Sequence, residues 1–181
     1  MIEVKATARR EFLFPAVFPL ALQFFSDFRR VTQFLPHISL VQETADQRYR
    51  LLYSTTELSA YHVYIFADVE TEIIESEQTL YVRPAQDAAP VKSKATLRSL
   101  TAPGHFSSRS LFREAGDQCQ VEFDMELSAL LPRPLGMRFV PGSVLNRIAA
   151  SITNQRMDEI IEGFITKSIA AYSKWKPVKE S

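Results

Sequence analysis

Residues 143–175, SVLNRIAASITNQRMDEIIEGFITKSIAAYSKW, decide the fold. They run for more than thirty residues without proline and with one glycine, Gly163, enough for a single helix of about 50 Å at the usual rise per residue. Pro141-Gly142 breaks the chain just before this stretch, Ser143 reads as an N-cap, and Pro177 reads as a stop after the last aromatic. So long a helix needs a surface on which to bury its apolar side. The chain upstream supplies one.

Ile2, Val4 and Ala6 alternate with Glu3, Lys5 and Thr7, the period of a half-buried strand that runs to Phe14 and ends at Pro15. From there to about Leu35 the apolar residues Val17, Leu20, Ala21, Phe24, Phe25, Phe28 and Val31 recur at three and four. This predicts two short helices, broken near Ser26-Asp27 and closed by Pro36.

From His37 to about Pro132 the period is two. Residues 38–44 and 49–58 read as a hairpin, and Tyr61, Val63, Ile65, Ala67 and Val69 form one face of the next strand. A turn at 75–78 leads into a strand over 79–83, and a proline- and alanine-rich loop is expected at 84–90. Residues 94–100 either add a strand or extend the next one. Phe106, Ser108, Ser110 and Phe112 then share a face, as do Val121, Phe123, Met125 and Leu127 after the turn at Ala115-Gly116-Asp117. Alternation sustained over about six or seven strands predicts an antiparallel sheet, wet on one side and covered on the other by the terminal helix. With no repeat and no linker, residues 1–181 read as one α+β domain.

Composition narrows the function. Apolar residues make up 46% of the chain, and 21 basic residues balance 21 acidic ones. A balanced charge speaks against a general nucleic-acid binder and lends no support to an anionic-membrane patch. Cys119 is the only cysteine, the N-terminus lacks the apolar core of a signal peptide, and no apolar window approaches a membrane span, so a cytoplasmic protein is expected.

The order strand, two short helices, antiparallel strands, long terminal helix resembles the helix-grip layout of the START-like superfamily, also called SRPBCC. That superfamily includes birch-pollen-allergen proteins, polyketide cyclases and coenzyme Q chaperones. The resemblance is carried by Phe34-Leu35-Pro36, by Leu130-Leu131-Pro132, by Pro141-Gly142-Ser143-Val144-Leu145 and by Ala171-Tyr172-Ser173-Lys174-Trp175. At residue level it is closest to an uncharacterised family of cyanobacteria and chloroplasts. It implies a sheet curled around the last helix and a cavity between them, which in relatives holds lipids, sterols, quinones, tetrapyrroles or polyketides.

The residues bear on such a cavity in their own right. Ser108 and Ser110 sit between Phe106 and Phe112 on the inner face; small hydroxyls there leave volume and offer donors, unless a one-residue slip turns that face to solvent. Along the helix, Leu145, Ile148, Ala149 and Ile152 point one way, and Met157, Ile160, Ile161 and Phe164 point about 120° further round. Thr153-Asn154-Gln155-Arg156 lies between. Either the helix crosses two parts of the structure, or Asn154 or Arg156 enters a cavity, where a cation needs an anionic partner.

Other chemistry lacks a signature. His37, His62 and His105 have no ligand spacing, no glycine-rich phosphate loop or nucleophile elbow occurs, and no metal or cofactor is expected. Glu122, Asp124 and Glu126 read as the solvated side of a strand. Phe14, Phe18, Phe24, Phe25 and Phe28 read as core, with a transient membrane or protein contact through the short helices if they prove exposed.

The leading expectation is a non-catalytic binding or carrier protein for a hydrophobic small molecule, its cavity lined by Phe106, Ser108, Ser110, Phe112, Phe123, Met125, Ile152, Arg156, Met157, Ile160 and Phe164. The alternative is an interaction or assembly factor with a packed core. A cyclase- or dehydratase-type enzyme would draw on the serines, Arg156 and Tyr53 or Tyr64.

Overall fold

A computed structural model describes residues 1–86 and 89–175, so the stop expected at Pro177 and part of the loop at 84–90, namely Asp87 and Ala88, lie outside the described residues. The chain begins with β1 (Ile2–Phe14), whose alternating burial follows the alternating sequence. Two helices follow, α1 (Phe18–Ser26) and α2 (Phe28–Val31), with Pro19 in the first turn of α1. The Asp27 side chain accepts from the backbone N–H of Arg30 at 3.2 Å, which caps α2 and explains the break between the helices.

Strands β2 (Ile38–Ala45), β3 (Arg48–Glu57), β4 (Tyr61–Ile74), β5 (Thr79–Pro84), β6 (Lys94–Ala95), β7 (Ser99–Ala115) and β8 (Gln118–Leu131) complete a curved sheet with β1. Its order is β1-β8-β7-β5-β4-β3-β2, with β6 on the flank of β7. The sheet is antiparallel except at one place. Beyond the end of β5, β4 and β7 pair directly and in parallel, His62 opposite Ser99 through Phe66 opposite Pro103. Gly104 lies just past this seam; a Cβ there would run into Ile65 and approach the Ser128 carbonyl, so glycine is what lets the strands close.

The segment 94–100, for which the sequence leaves two readings, holds both: a two-residue strand, then the start of β7. The sheet has eight strands against the expected six or seven, because β6 is too short to show a period.

The helix α3 (Gly142–Tyr172) spans 31 residues, about 46 Å. Pro141, not Ser143, takes the cap position, and its carbonyl receives the N–H groups of Val144 and Leu145 at 3.1 and 3.2 Å. The two directions of its apolar stripe correspond to two cores. Met157, Ile160, Ile161 and Phe164 enter a large one with Phe14, Phe24, Phe25 and Phe112, where Phe123 stacks on Phe164 at 4.5 Å between ring centres. Leu145 enters a smaller one with Ile2, Val4, Val63, Leu100 and Leu131 at the opposite end of the sheet.

Phe14 and Phe24 also meet Tyr172, at 4.9 and 5.5 Å, so the end of α3 is held by aromatic contacts from β1 and α1. The aromatics of the short-helix region are therefore mostly internal: Phe14, Phe24, Phe25 and Phe28 are buried and Phe18 is half-buried, leaving Val17 as the exposed large apolar residue of that region. Among the described residues, no helix is long and apolar enough to cross a membrane.

Candidate functional site

A cavity of about 140 Å³ lies beneath the first half of α3, at the junction of the two cores. Its floor is the inner face of the sheet: Val63, Ile65 and Ala67 of β4, Leu100 and Phe106 of β7, Leu127 and Leu131 of β8. Leu145, Ile148, Ala149 and Ile152 of α3 roof it. The lining reaches the surface, as a mouth, at the β3–β4 turn, where Leu58 is exposed; Tyr61 of β4 and Pro134 and Met137 of the connection into the helix complete that end.

One wall is polar, and β3 builds it. Period two places Leu51, Tyr53, Thr55 and Glu57 on one face, so the cavity passes from apolar to ionic along a single strand. Burial pushes the Tyr53 phenol up to about 12, which keeps it a neutral hydroxyl near neutral pH. Thr55 is 8% exposed, and its Oγ1 makes no hydrogen bond of good geometry, although Tyr53 and Glu57 flank it. On the helix side Thr153 donates to the Ala149 carbonyl at 2.7 Å, so its hydroxyl hydrogen is engaged.

Arg156 closes the polar end. Its Nε and Nη2 donate to the two oxygens of Glu57 at 2.9 and 3.1 Å, and its Nη1 donates to Glu159 at 2.7 Å. His37 Nε2 lies 3.0 Å from the same Glu159 oxygen. These contacts raise the Arg156 guanidinium further above its ordinary value. Burial pushes the Glu57 carboxyl up, but the hydrogen bonds and the charge of Arg156 outweigh it and hold the carboxyl below the usual range. The hydrogen bond from Arg156 likewise holds Glu159 down at about 2. The arginine at the turn of the stripe thus has carboxylate partners within the protein, and Asn154 is exposed.

Of the residues named from sequence, Phe106, Ile152 and Arg156 line the cavity. Phe112, Phe123, Met125, Met157, Ile160 and Phe164 are buried in the large core away from it. Ser110 does face inward, between Leu80 and Phe123 in the ladder, and Ser108 is half-buried between Val82 and Met125; neither reaches the cavity. Tyr64 stands on the other face of β4 beside His62, so of the two tyrosines only Tyr53 enters. The signal that would have found the wall is the rising polarity at alternate positions Leu51, Tyr53, Thr55 and Glu57.

The outer face differs from expectation at one residue. Glu122 is buried, clamped between Arg9 at 2.8 Å and Arg113 at 2.7 Å, where a solvated carboxylate was expected. Cys119 is fully buried, and burial pushes its thiol up. Among the described residues no group of three His, Cys, Asp or Glu side chains is placed to hold a metal ion.

No family model matches the sequence, and no curated protein does. Solved structures do match in shape. A conserved protein from Geobacillus kaustophilus is 11% identical with a TM-score of 0.56, covering 93% of this chain and 96% of its own. A protein from Thermus thermophilus is 12% identical with a TM-score of 0.52 over 92% of this chain and 99% of its own. The di-domain ARO/CYC StfQ from the steffimycin biosynthetic pathway is 10% identical with a TM-score of 0.51, over 92% of this chain and 50% of its own. What these likenesses show is the fold: a helix-grip arrangement, with a long terminal helix gripped by a curved antiparallel sheet.

Proposed function

We propose that this chain is a non-catalytic, cytoplasmic binding or carrier protein for a hydrophobic small molecule that carries one polar group. The supporting observation is the apolar space whose one unsatisfied buried polar atom, among the described residues, is Thr55 Oγ1, beside the Tyr53 hydroxyl. A carbonyl or hydroxyl on the ligand would accept from, or donate to, this pair. The carboxylate in the lining, Glu57, is locked to Arg156, which leaves it no free acid or base role at neutral pH.

Size limits the bound part. A cavity near 140 Å³ is close to one that holds a single benzene ring and well below the roughly 300 Å³ at which drug-sized sites begin. A ring or short acyl segment fits inside. A quinone, tetrapyrrole or long lipid would extend through the mouth or require the Leu58 turn to move.

Native mass spectrometry of the chain purified from its own host tests this reading: a retained small-molecule mass, lost in Ala149→Phe, is the expected result. A mass that persists in that variant would place the ligand elsewhere. A second reading, a cyclase-type enzyme, draws on the likeness to StfQ and on the same Tyr53–Thr55 hydroxyl pair. It requires that Tyr53→Phe abolish turnover of a ring-forming substrate while that substrate still binds.

A further inference from the structure

We propose that the end of the molecule around the cavity mouth docks on an anionic lipid bilayer. Strand register gathers four separate segments there. Glu57 pairs with Tyr61 across the β3–β4 turn, His62 lies opposite Ser99 at the start of β7, and Ile2 lies opposite Leu131 at the end of β8. The connection into α3 leaves from that same end.

Three of these segments expose apolar side chains. Leu58 of the β3–β4 turn is 55% exposed, Leu97 of the β6–β7 turn 70%, and Phe139 of the α3 connection 100%; Val144 and Ile148 in the first turns of α3 are exposed as well. Single exposed leucines are common, but five large apolar residues gathered at one end of the molecule, two of them, Leu58 and Ile148, also lining the cavity, are not scattered. Leu58 and Ser59 also hold left-handed backbone, φ 50° and 56°, at the two central positions of their turn. A bulky residue kept at positive φ and in solvent is doubly unfavourable, which fits a side chain retained for contact.

Charge selects the partner. The chain is neutral overall, yet residues 127–157 contain Arg133, Arg138, Arg147 and Arg156 and no acidic residue, and residues 88–108 contain Lys92, Lys94 and Arg98 and none. Arg98, Arg138 and Arg147 are exposed around the apolar tips. Among the described residues, the acidic side chains near this end are Glu3, which is exposed, and Glu57 and Glu159, which are both paired with Arg156. Net charge does not register this segregation. A basic rim disfavours a second copy of the same face, and apolar tips on three separate segments suit a fluid plane better than a shaped protein groove. Through this end an apolar ligand could pass from bilayer to cavity without crossing water; the surface itself stands whether or not the cavity carries cargo.

Sedimentation with phosphatidylcholine vesicles, with and without phosphatidylglycerol, tests the docking. Binding is expected only with the anionic lipid and is expected to weaken as salt rises from about 0.05 to about 0.5 M. Arg138→Glu and Arg147→Glu should each lower partitioning more than about fivefold, and Phe139→Ser about tenfold. All three side chains are exposed, so thermal melting should not move. No binding to anionic vesicles, or binding unchanged in all three variants, overturns the proposal; so does a dimer in light scattering that Phe139→Ser dissolves, which would assign the face to a second copy. Uptake of an aminonaphthalene probe without vesicles should be unaltered in R138E and R147E. Its absence in the unmutated protein, with vesicle binding intact, would sink the cavity reading alone.

Discussion

Arg156 on α3 and Glu57 at the end of β3 face each other in a two-pronged ion pair, at 2.9 and 3.1 Å, across the polar end of the cavity. Ninety-nine residues separate them in sequence, so the pair ties the helix to the sheet between the two cores that Leu145 and Met157 enter. With the Glu57 side chain only 12% exposed, Arg156→Met leaves a mostly buried carboxylate without its partner. The expected cost is about 2 kcal/mol, somewhat below that of a fully buried pair. Glu57→Gln should cost less, because Arg156 keeps Glu159. Urea unfolding of both single variants and the double variant measures the coupling; simple additivity would show that the pair contributes no interaction of its own.

The same network makes stability depend on pH on the acid side. Held at about 2 in the folded chain against an ordinary 4.5, Glu159 prefers its charged form in the native state. Its contribution is therefore complete above about pH 4.5 and fades as pH falls toward 2, and the lowered Glu57 adds a change of the same sign. At a carboxylate whose side chain is 36% exposed, solvent screening reduces the effect to about 1 kcal/mol. Melting temperatures between pH 6 and pH 3 should thus fall less steeply in Glu159→Gln than in the parent; parallel slopes would remove Glu159 from the account.

Much of the fold was legible because period alone reports it. Alternation marked the inward faces of β1, β4 and β8 and left β7 with two readings, of which Phe106, Ser110 and Phe112 buried is the one found; the 120° turn of the α3 stripe corresponds to its passage between two cores. The cavity was less legible, because period tells which side chains point inward and not which of them meet other side chains. Ser110 and Ile160 point inward just as Phe106 and Ile152 do, yet the former two meet dense packing and the latter two meet space. That difference depends on where the helix lies along the sheet, set by contacts as distant in sequence as Phe14 with Tyr172. The Glu57 partner of Arg156 was hidden for the same reason.

Gly163 is the one glycine in the interior of α3, and its reason is Pro36. A Cβ at this position would run into the Pro36 ring, so the glycine lets the helix lie flat on the turn that closes the short helices. Helix propensity alone would make Gly163→Ala stabilising by about 1 kcal/mol. The clash reverses the sign, and a net loss of about 1–2 kcal/mol is expected in chemical denaturation. A stabilised variant would mean that the α3–Pro36 contact yields freely.

Two bulky substitutions separate packed core from open cavity. Ser110 sits among Leu80, Phe112 and Phe123, and all three are buried, so Ser110→Phe has no volume to occupy and should lower stability by about 1–3 kcal/mol. Ala149 roofs the cavity, and a phenylalanine there can turn into a space of about 140 Å³ with little strain. Ala149→Phe should therefore melt near or above the parent while abolishing uptake of a ring-sized fluorescent probe. Ser110→Phe should melt lower and, where still folded, bind the probe as the parent does. The reverse pattern, probe binding lost in Ser110→Phe and kept in Ala149→Phe, would move the ligand from beneath the first half of α3 to the serine-bearing face of β7.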